Sequence, residues 1–143
     1  MELAQKLAFA LNLEFCEIQT DSVISLKENI SKFVSEEYKI HQCSYNDLSE
    51  KYSVIMANPP FYEKGCGKLS DNHQKNISRH FLVGDIKSFL IKSHSLLNEL
   101  GVMFIIRPSV RADYFRQIIK EQKFKIEKEK QAKNYTLFKL NRL

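Results

Sequence analysis

Tyr52-Ser53-Val54-Ile55-Met56-Ala57 runs directly into Asn58-Pro59-Pro60-Phe61, and this junction constrains the fold more than any other stretch. A short, nearly continuous apolar run is the pattern of a β-strand covered on both faces. Two successive prolines carry no amide hydrogens and bias the residue before each of them away from helix, so the strand must leave its sheet at Asn58. The chain is expected to hold a buried strand that empties into a loop.

The surrounding segments alternate between the two periods. Leu3, Ala4, Leu7, Ala8 and Leu11 recur at helical spacing, so the chain opens in mid-helix. Leu13 to Ile18 reads as a strand, and Thr20 or Asp21 can cap a helix whose Val23, Leu26, Ile30 and Phe33 form one apolar stripe. A second strand is expected over about Tyr38 to Cys43. After the Asn58 junction, Tyr62 to about Phe81 is polar and aperiodic, the long loop of the chain. Ile86, Phe89, Leu90, Ser93, Leu96 and Leu97 restore helical period, Gly101 marks the turn into the strand Val102 to Ile106, and Tyr114, Ile118 and Ile119 suggest one more helix. Phe124 to Lys130 and Tyr135 to Leu140 alternate on either side of Gln131 to Asn134, the pattern of an antiparallel hairpin. This order predicts a single α/β domain over residues 1–143: an open, mainly parallel sheet with helices on both faces and a C-terminal antiparallel hairpin.

Composition narrows the setting. The 143 residues are 43% hydrophobic and 27% charged, which suits one globular core. No run reaches the ~20 apolar residues of a membrane helix and the start lacks a signal-peptide pattern, so a cytoplasmic location without membrane contact is expected. Cys16, Cys43 and Cys66 form no CxxC pair, so reduced thiols are expected rather than a disulfide framework. Cys66, His73 and His80 are too sparse for a metal site, and none is expected. Charge is divided: residues 1–57 carry five Lys/Arg against nine Asp/Glu, whereas residues 58–143 carry seventeen against eight, or +9 within an overall +5. Such asymmetry suits contact with a polyanion or, more plainly, a solvated Lys-rich surface.

Ligands of open parallel sheets sit at the carboxyl ends of the strands. Three polar features fall there: Glu17, Ser44 to Asp47, and Asn58-Pro59-Pro60-Phe61. The prolines leave carbonyls free to accept from another group, Asn58 adds a side-chain carbonyl, and Phe61 offers a flat apolar face. Two acceptors beside a stacking ring suit an exocyclic amine on a planar base, since they turn its lone pair out of the ring plane. The plainer alternative is a Pro-Pro turn with an Asn before it and a core Phe after it.

Around this tetrad the chain resembles the class I S-adenosylmethionine-dependent methyltransferases that act on the amino group of adenine. The stretch Met56-Ala57-Asn58-Pro59-Pro60-Phe61-Tyr62-Glu63-Lys64-Gly65, with Ser78-Arg79-His80 and Ile105-Ile106-Arg107-Pro108, is most similar to the bacterial branch that methylates N6 of an adenine in valine tRNA. The resemblance implies a Rossmann-like sheet, S-adenosyl-L-methionine as cofactor, and transfer of its methyl group to adenine N6 in RNA, with tRNA as partner. Asn58, Pro59, Pro60 and Phe61 would be the catalytic tetrad, with Asn58 also at the cofactor. Glu17 would bind the cofactor's ribose hydroxyls, and Ser44, where the family usually has Asp, would face its adenine. Lys64, Lys68, Arg79 and His80 are candidates for RNA contact, and Arg79 and His80 alternatively for capping the next helix. The lysines Lys123, Lys125, Lys128, Lys130 and Lys133 are either a solvated hairpin face or part of the RNA track.

The family also carries a first strand and a Gly-rich turn ahead of the helix with which this chain opens. The four glycines here are Gly65, Gly67, Gly84 and Gly101, so both features are expected to be missing and the chain to be amino-terminally truncated. That predicts an exposed sheet edge, a route to homo-oligomers, and weak cofactor binding. DNA adenine or a protein glutamine amide would be alternative substrates, and a catalytically inactive RNA-binding fragment an alternative to an enzyme.

Overall fold

The computed structural model of the chain describes residues 12–33, 37–60 and 85–143. The helix expected over Leu3 to Leu11 and the long polar loop lie outside them. The chain divides into two compact units, Met1–Leu48 and Ser49–Leu143.

In the first unit, β1 (Leu13–Cys16), α1 (Thr20–Phe33) and β2 (Tyr38–His41) form a strand-helix-strand, with β1 and β2 parallel in register from Leu13↔Tyr38 to Cys16↔His41. Val23 and Ile30, two turns apart on α1, are buried. Phe33, expected in the same stripe, is exposed. Strand β1 ends sooner than the alternation to Ile18 suggests, because the Glu17 carboxylate accepts from the Gln19 backbone N–H at 2.8 Å and turns the chain toward α1.

The second unit is a four-stranded sheet of order β3-β4-β6-β5, comprising β3 (Tyr52–Ala57), β4 (Leu97–Pro108), β5 (Phe124–Ala132) and β6 (Tyr135–Arg142). β3 and β4 are parallel; β4/β6 and β5/β6 are antiparallel. Helices α2 (Ile86–Leu96) and α3 (Ala112–Glu121) contribute to one core with the sheet, built around Ile86, Leu90, Met103, Ile105, Phe115, Ile118, Ile119, Phe138 and Leu140. Phe115 and Phe138 meet edge to face at 5.1 Å between ring centroids. The expected hairpin is present, and its turn is tighter than Gln131 to Asn134: Ala132 pairs with Tyr135, and Lys133 takes the left-handed conformation at φ 52°.

Two expectations are corrected. Strand β3 is not covered on both faces among the described residues. Ile55 and Ala57 pack against the core shared with α2 and α3, whereas Val54 and Met56, on the opposite face by strand alternation, are 46% and 80% exposed. Gly101 does not precede β4 but lies inside it, buried. The strand begins at Leu97, which pairs with Tyr52 before the register shifts between Tyr52 and Val54. A Cβ on Gly101 would stand 2.9 Å from Leu97 Cδ2 and 3.0 Å from the Asn98 carbonyl oxygen, so the irregular pairing leaves no room for a side chain there.

Candidate active site

Strand β3 makes its last pairing at Ala57↔Ile105, and the chain then leaves the sheet through Asn58, Pro59 and Pro60. Asn58 is exposed and Pro59 buried. Among the described residues the Asn58 carboxamide makes no hydrogen bond, and the residue is exposed.

The carbonyls behind it are held from below. On β4, Gly101, Met103, Ile105 and Arg107 alternate with less buried residues and form the inward row. Period-two alternation thus carries a guanidinium into the core, where Arg107 is only 2% exposed. Its Nη1 donates to the Pro60 carbonyl at 2.8 Å and, at the long end of hydrogen-bond range, to the Pro59 carbonyl at 3.4 Å. Its guanidinium carbon lies 5.6 Å from the centroid of the Phe115 ring, within cation–π range. The proline carbonyls, read from sequence as free to accept from another group, are therefore already engaged. With two lone pairs on a carbonyl oxygen and only a long bond to Arg107, the Pro59 oxygen keeps acceptor capacity.

In the first unit, the carboxyl ends of β1 and β2 carry Glu17, Ser44 and Asp47, named from the sequence. Glu17 is half-buried directly after β1, where its backbone N–H bonds the His41 carbonyl at 3.1 Å. Its Oε1 is occupied by the Gln19 N–H, and Oε2 makes no bond among the described residues. Two vicinal hydroxyls fit such a half-satisfied carboxylate. After β2, Ser44 and Asp47 form a capping box around a single 3₁₀ turn, Tyr45–Asp47. The Ser44 hydroxyl accepts from Asn46 N–H and the Asp47 carboxylate from Ser44 N–H at 3.1 Å. Ser44 and Asp47 thus first shape the turn, and the Ser44 hydroxyl keeps its own proton to donate. The Cys16 thiol donates to the Cys43 carbonyl at 3.3 Å, and desolvation together with Cys43 pushes its pKa up to about 12, leaving it a protonated, weakly reactive group.

Of the predicted site residues, Glu17, Ser44, Asn58, Pro59 and Pro60 stand at strand ends as expected. Phe61, Lys64, Lys68, Arg79 and His80 lie outside the described residues. Arg107 was not singled out by its chemistry, although the signal was present: it is the charged member of a row that otherwise reads Met103, Ile105. No group of His, Cys, Asp and Glu among the described residues is arranged to hold a metal, and no described helix is long and apolar enough to cross a membrane.

The ribosomal protein L11 methylase of Lactobacillus delbrueckii subsp. bulgaricus superposes on 92% of this chain, which covers 57% of that one, with a TM-score of 0.68 at 16% identity. SMU.776, a structure complexed with SAH, superposes on the same share with a TM-score of 0.66 at 11% identity, the chain covering 39% of it. This is the class I methyltransferase fold. In sequence the chain is related to the tRNA1(Val) (adenine(37)-N6)-methyltransferase of Histophilus somni, 28% identical over 111 residues that make up 74% of this chain and 46% of that protein. That of Trichodesmium erythraeum is 26% identical over 112 residues. The chain spans about half the length of these curated relatives. No protein-family model matches it.

Proposed function

We propose that this chain serves methyl transfer from S-adenosylmethionine to N6 of an adenine in RNA, with a tRNA as the substrate. The observation that carries this reading is the exposed Asn58 carboxamide at the carboxyl end of β3, set on a proline pair whose carbonyls are tied down by Arg107. The tRNA relatives and the +9 balance of residues 58–143 support RNA over a protein amide.

When bound, the cofactor supplies a methyl group activated by a sulfonium centre. Glu17 would hold it through the ribose hydroxyls. Asn58 Oδ1 and the Pro59 carbonyl would accept the two hydrogens of the adenine amine and aim its lone pair. Neither acceptor takes up a proton near neutral pH, so their contribution is orientation, and the proton released by the amine leaves to water. The target base must be swung out of its stack to reach an amide at a strand end.

Incubation of the chain with methyl-tritiated S-adenosylmethionine and unmodified tRNA, followed by digestion to nucleosides and chromatography, tests this. Label in N6-methyladenosine is the expected result. Label confined to DNA or to protein, or no transfer at all, overturns it.

A further inference from the structure

We propose that Arg107 is a positioning residue for methyl transfer, fixing the backbone that carries Asn58; its effect on turnover rests on the function proposed above. The rings of Pro59 and Pro60 lock both φ angles, and a residue followed by proline is itself restricted, so Asn58 and Pro59 are confined to extended conformations. What remains loose is ψ at Pro60, which sets where its carbonyl points and how the chain leaves the turn. Neither proline has an N–H with which to close a turn. Arg107 Nη1 bonds both carbonyls, at 2.8 Å and 3.4 Å, and so removes the remaining freedom from the segment directly after Asn58.

The location of the charge argues for this role. Arg107 occupies a row otherwise filled by Gly101, Met103 and Ile105, all buried. An apolar side chain would satisfy that position for packing alone, and desolvating a guanidinium is costly unless its partners are well placed. Here the partners include main-chain carbonyls of the candidate site and the face of Phe115 at 5.6 Å, which ties the turn to helix α3. The arrangement gives a short exposed side chain a rigid base at the end of a strand.

Methyl transfer to tRNA is measured for the wild type, Arg107→Met, Arg107→Lys, Asn58→Ala and the Asn58→Ala/Arg107→Met double variant, with S-adenosylmethionine affinity taken by calorimetry. Arg107→Met is expected to lower kcat on the order of 10²-fold through misplacement of the amide, with cofactor affinity unchanged. Arg107→Lys should recover part of the loss, since an ammonium reaches one carbonyl as a point charge. On the Asn58→Ala background, Arg107→Met should add little, because both changes act through the same group. Wild-type kcat in Arg107→Met, or losses that multiply in the double variant, overturns the proposal.

A second readout needs no activity. In nuclear magnetic resonance spectra of the wild type, the Arg107 Nη protons should exchange slowly. The Asn58 side-chain amide should lose order in Arg107→Met while β4 and β6 keep their amide pattern. Arg107 protons exchanging as in free arginine, or an unchanged Asn58 signal in a folded Arg107→Met, also overturns it, and the first criterion applies even where that variant does not fold. A wild type that holds Arg107 rigidly yet methylates no RNA refutes the proposed function and leaves the hold on the turn standing.

Discussion

Gly101→Ala sets two opposing effects against each other. Glycine in a strand is entropically expensive, and replacing it where the backbone is acceptable to alanine gains about 0.4–1 kcal/mol through the unfolded chain. The added methyl, however, would lie 2.9 Å from Leu97 Cδ2, 3.0 Å from the Asn98 oxygen and 3.1 Å from the Asn98 nitrogen. Carbon contacts are optimal near ~3.5–4.0 Å, so Leu97 Cδ2 would have to retreat by about half an ångström or more and the Asn98 backbone by a few tenths. Leu97 is fully buried, and Asn98 follows the residue that pairs with Tyr52. Overpacking of this kind costs about 1–3 kcal/mol, so the net expectation is a loss of roughly 1–2 kcal/mol. Urea denaturation followed by circular dichroism measures it as a lower midpoint at unchanged slope. Leu97→Ala removes the nearest atom, so Gly101→Ala should cost less on that background than on the wild type. Equal or greater stability of Gly101→Ala would refute the reasoning and show that the bulge yields at little cost.

Asn58→Ala should reduce methyl transfer by a factor of about 10² to 10³, as loss of an orienting hydrogen bond commonly does, while calorimetry shows S-adenosylmethionine affinity little changed. Asp85 accepts from the Ser88 backbone N–H at 2.7 Å at the start of α2, and that bond holds its carboxyl below the usual carboxylate range. Its contribution should be fully present above the unfolded carboxylate pKa of about 3.9 and fade as pH falls through the lower folded value, whereas Asp85→Ala should cost ~1 kcal/mol at neutral pH; melts of both across pH 2–7 check the sign. Phe138→Ala, at a fully buried ring stacked edge to face on Phe115, should destabilise by about 3–5 kcal/mol by denaturation. RNA affinity should fall steeply with added salt in a filter-binding titration, in keeping with the basic segment 58–143.

The helices and the hairpin were legible because their periods are clean: Ile86, Leu90 and Ser93 recur at three to four residues and are all buried. The strand after them was misjudged at its start. Leu97-Asn98-Glu99-Leu100 continues a helical pattern, and only pairing of Leu97 with Tyr52 across the sheet draws it into β4. Burial of β3 was overstated because a continuous apolar run does not say how many layers cover it, and Met56 stands 80% exposed. For the site, proline chemistry located the end of β3, and the strand read over Leu13 to Ile18 put Glu17 near its carboxyl end. What the sequence could not show is which donor meets the proline carbonyls. Arg107 is 47 residues from Pro60, and that meeting exists only through the parallel pairing of β3 with β4.

The two outer strands of the second unit's sheet differ in how they receive a newcomer. β5 carries exposed Lys125, Lys128 and Lys130 and a register break between Ile126 and Lys128, features that discourage edge-to-edge addition. β3 is short, follows a regular register from Val54 to Ala57, and bears the exposed apolar side chains Val54 and Met56. Growth of this sheet is therefore one-directional. A parallel strand laid beside β3 would finish level with Ala57, so whatever residues follow that strand would arrive next to Asn58.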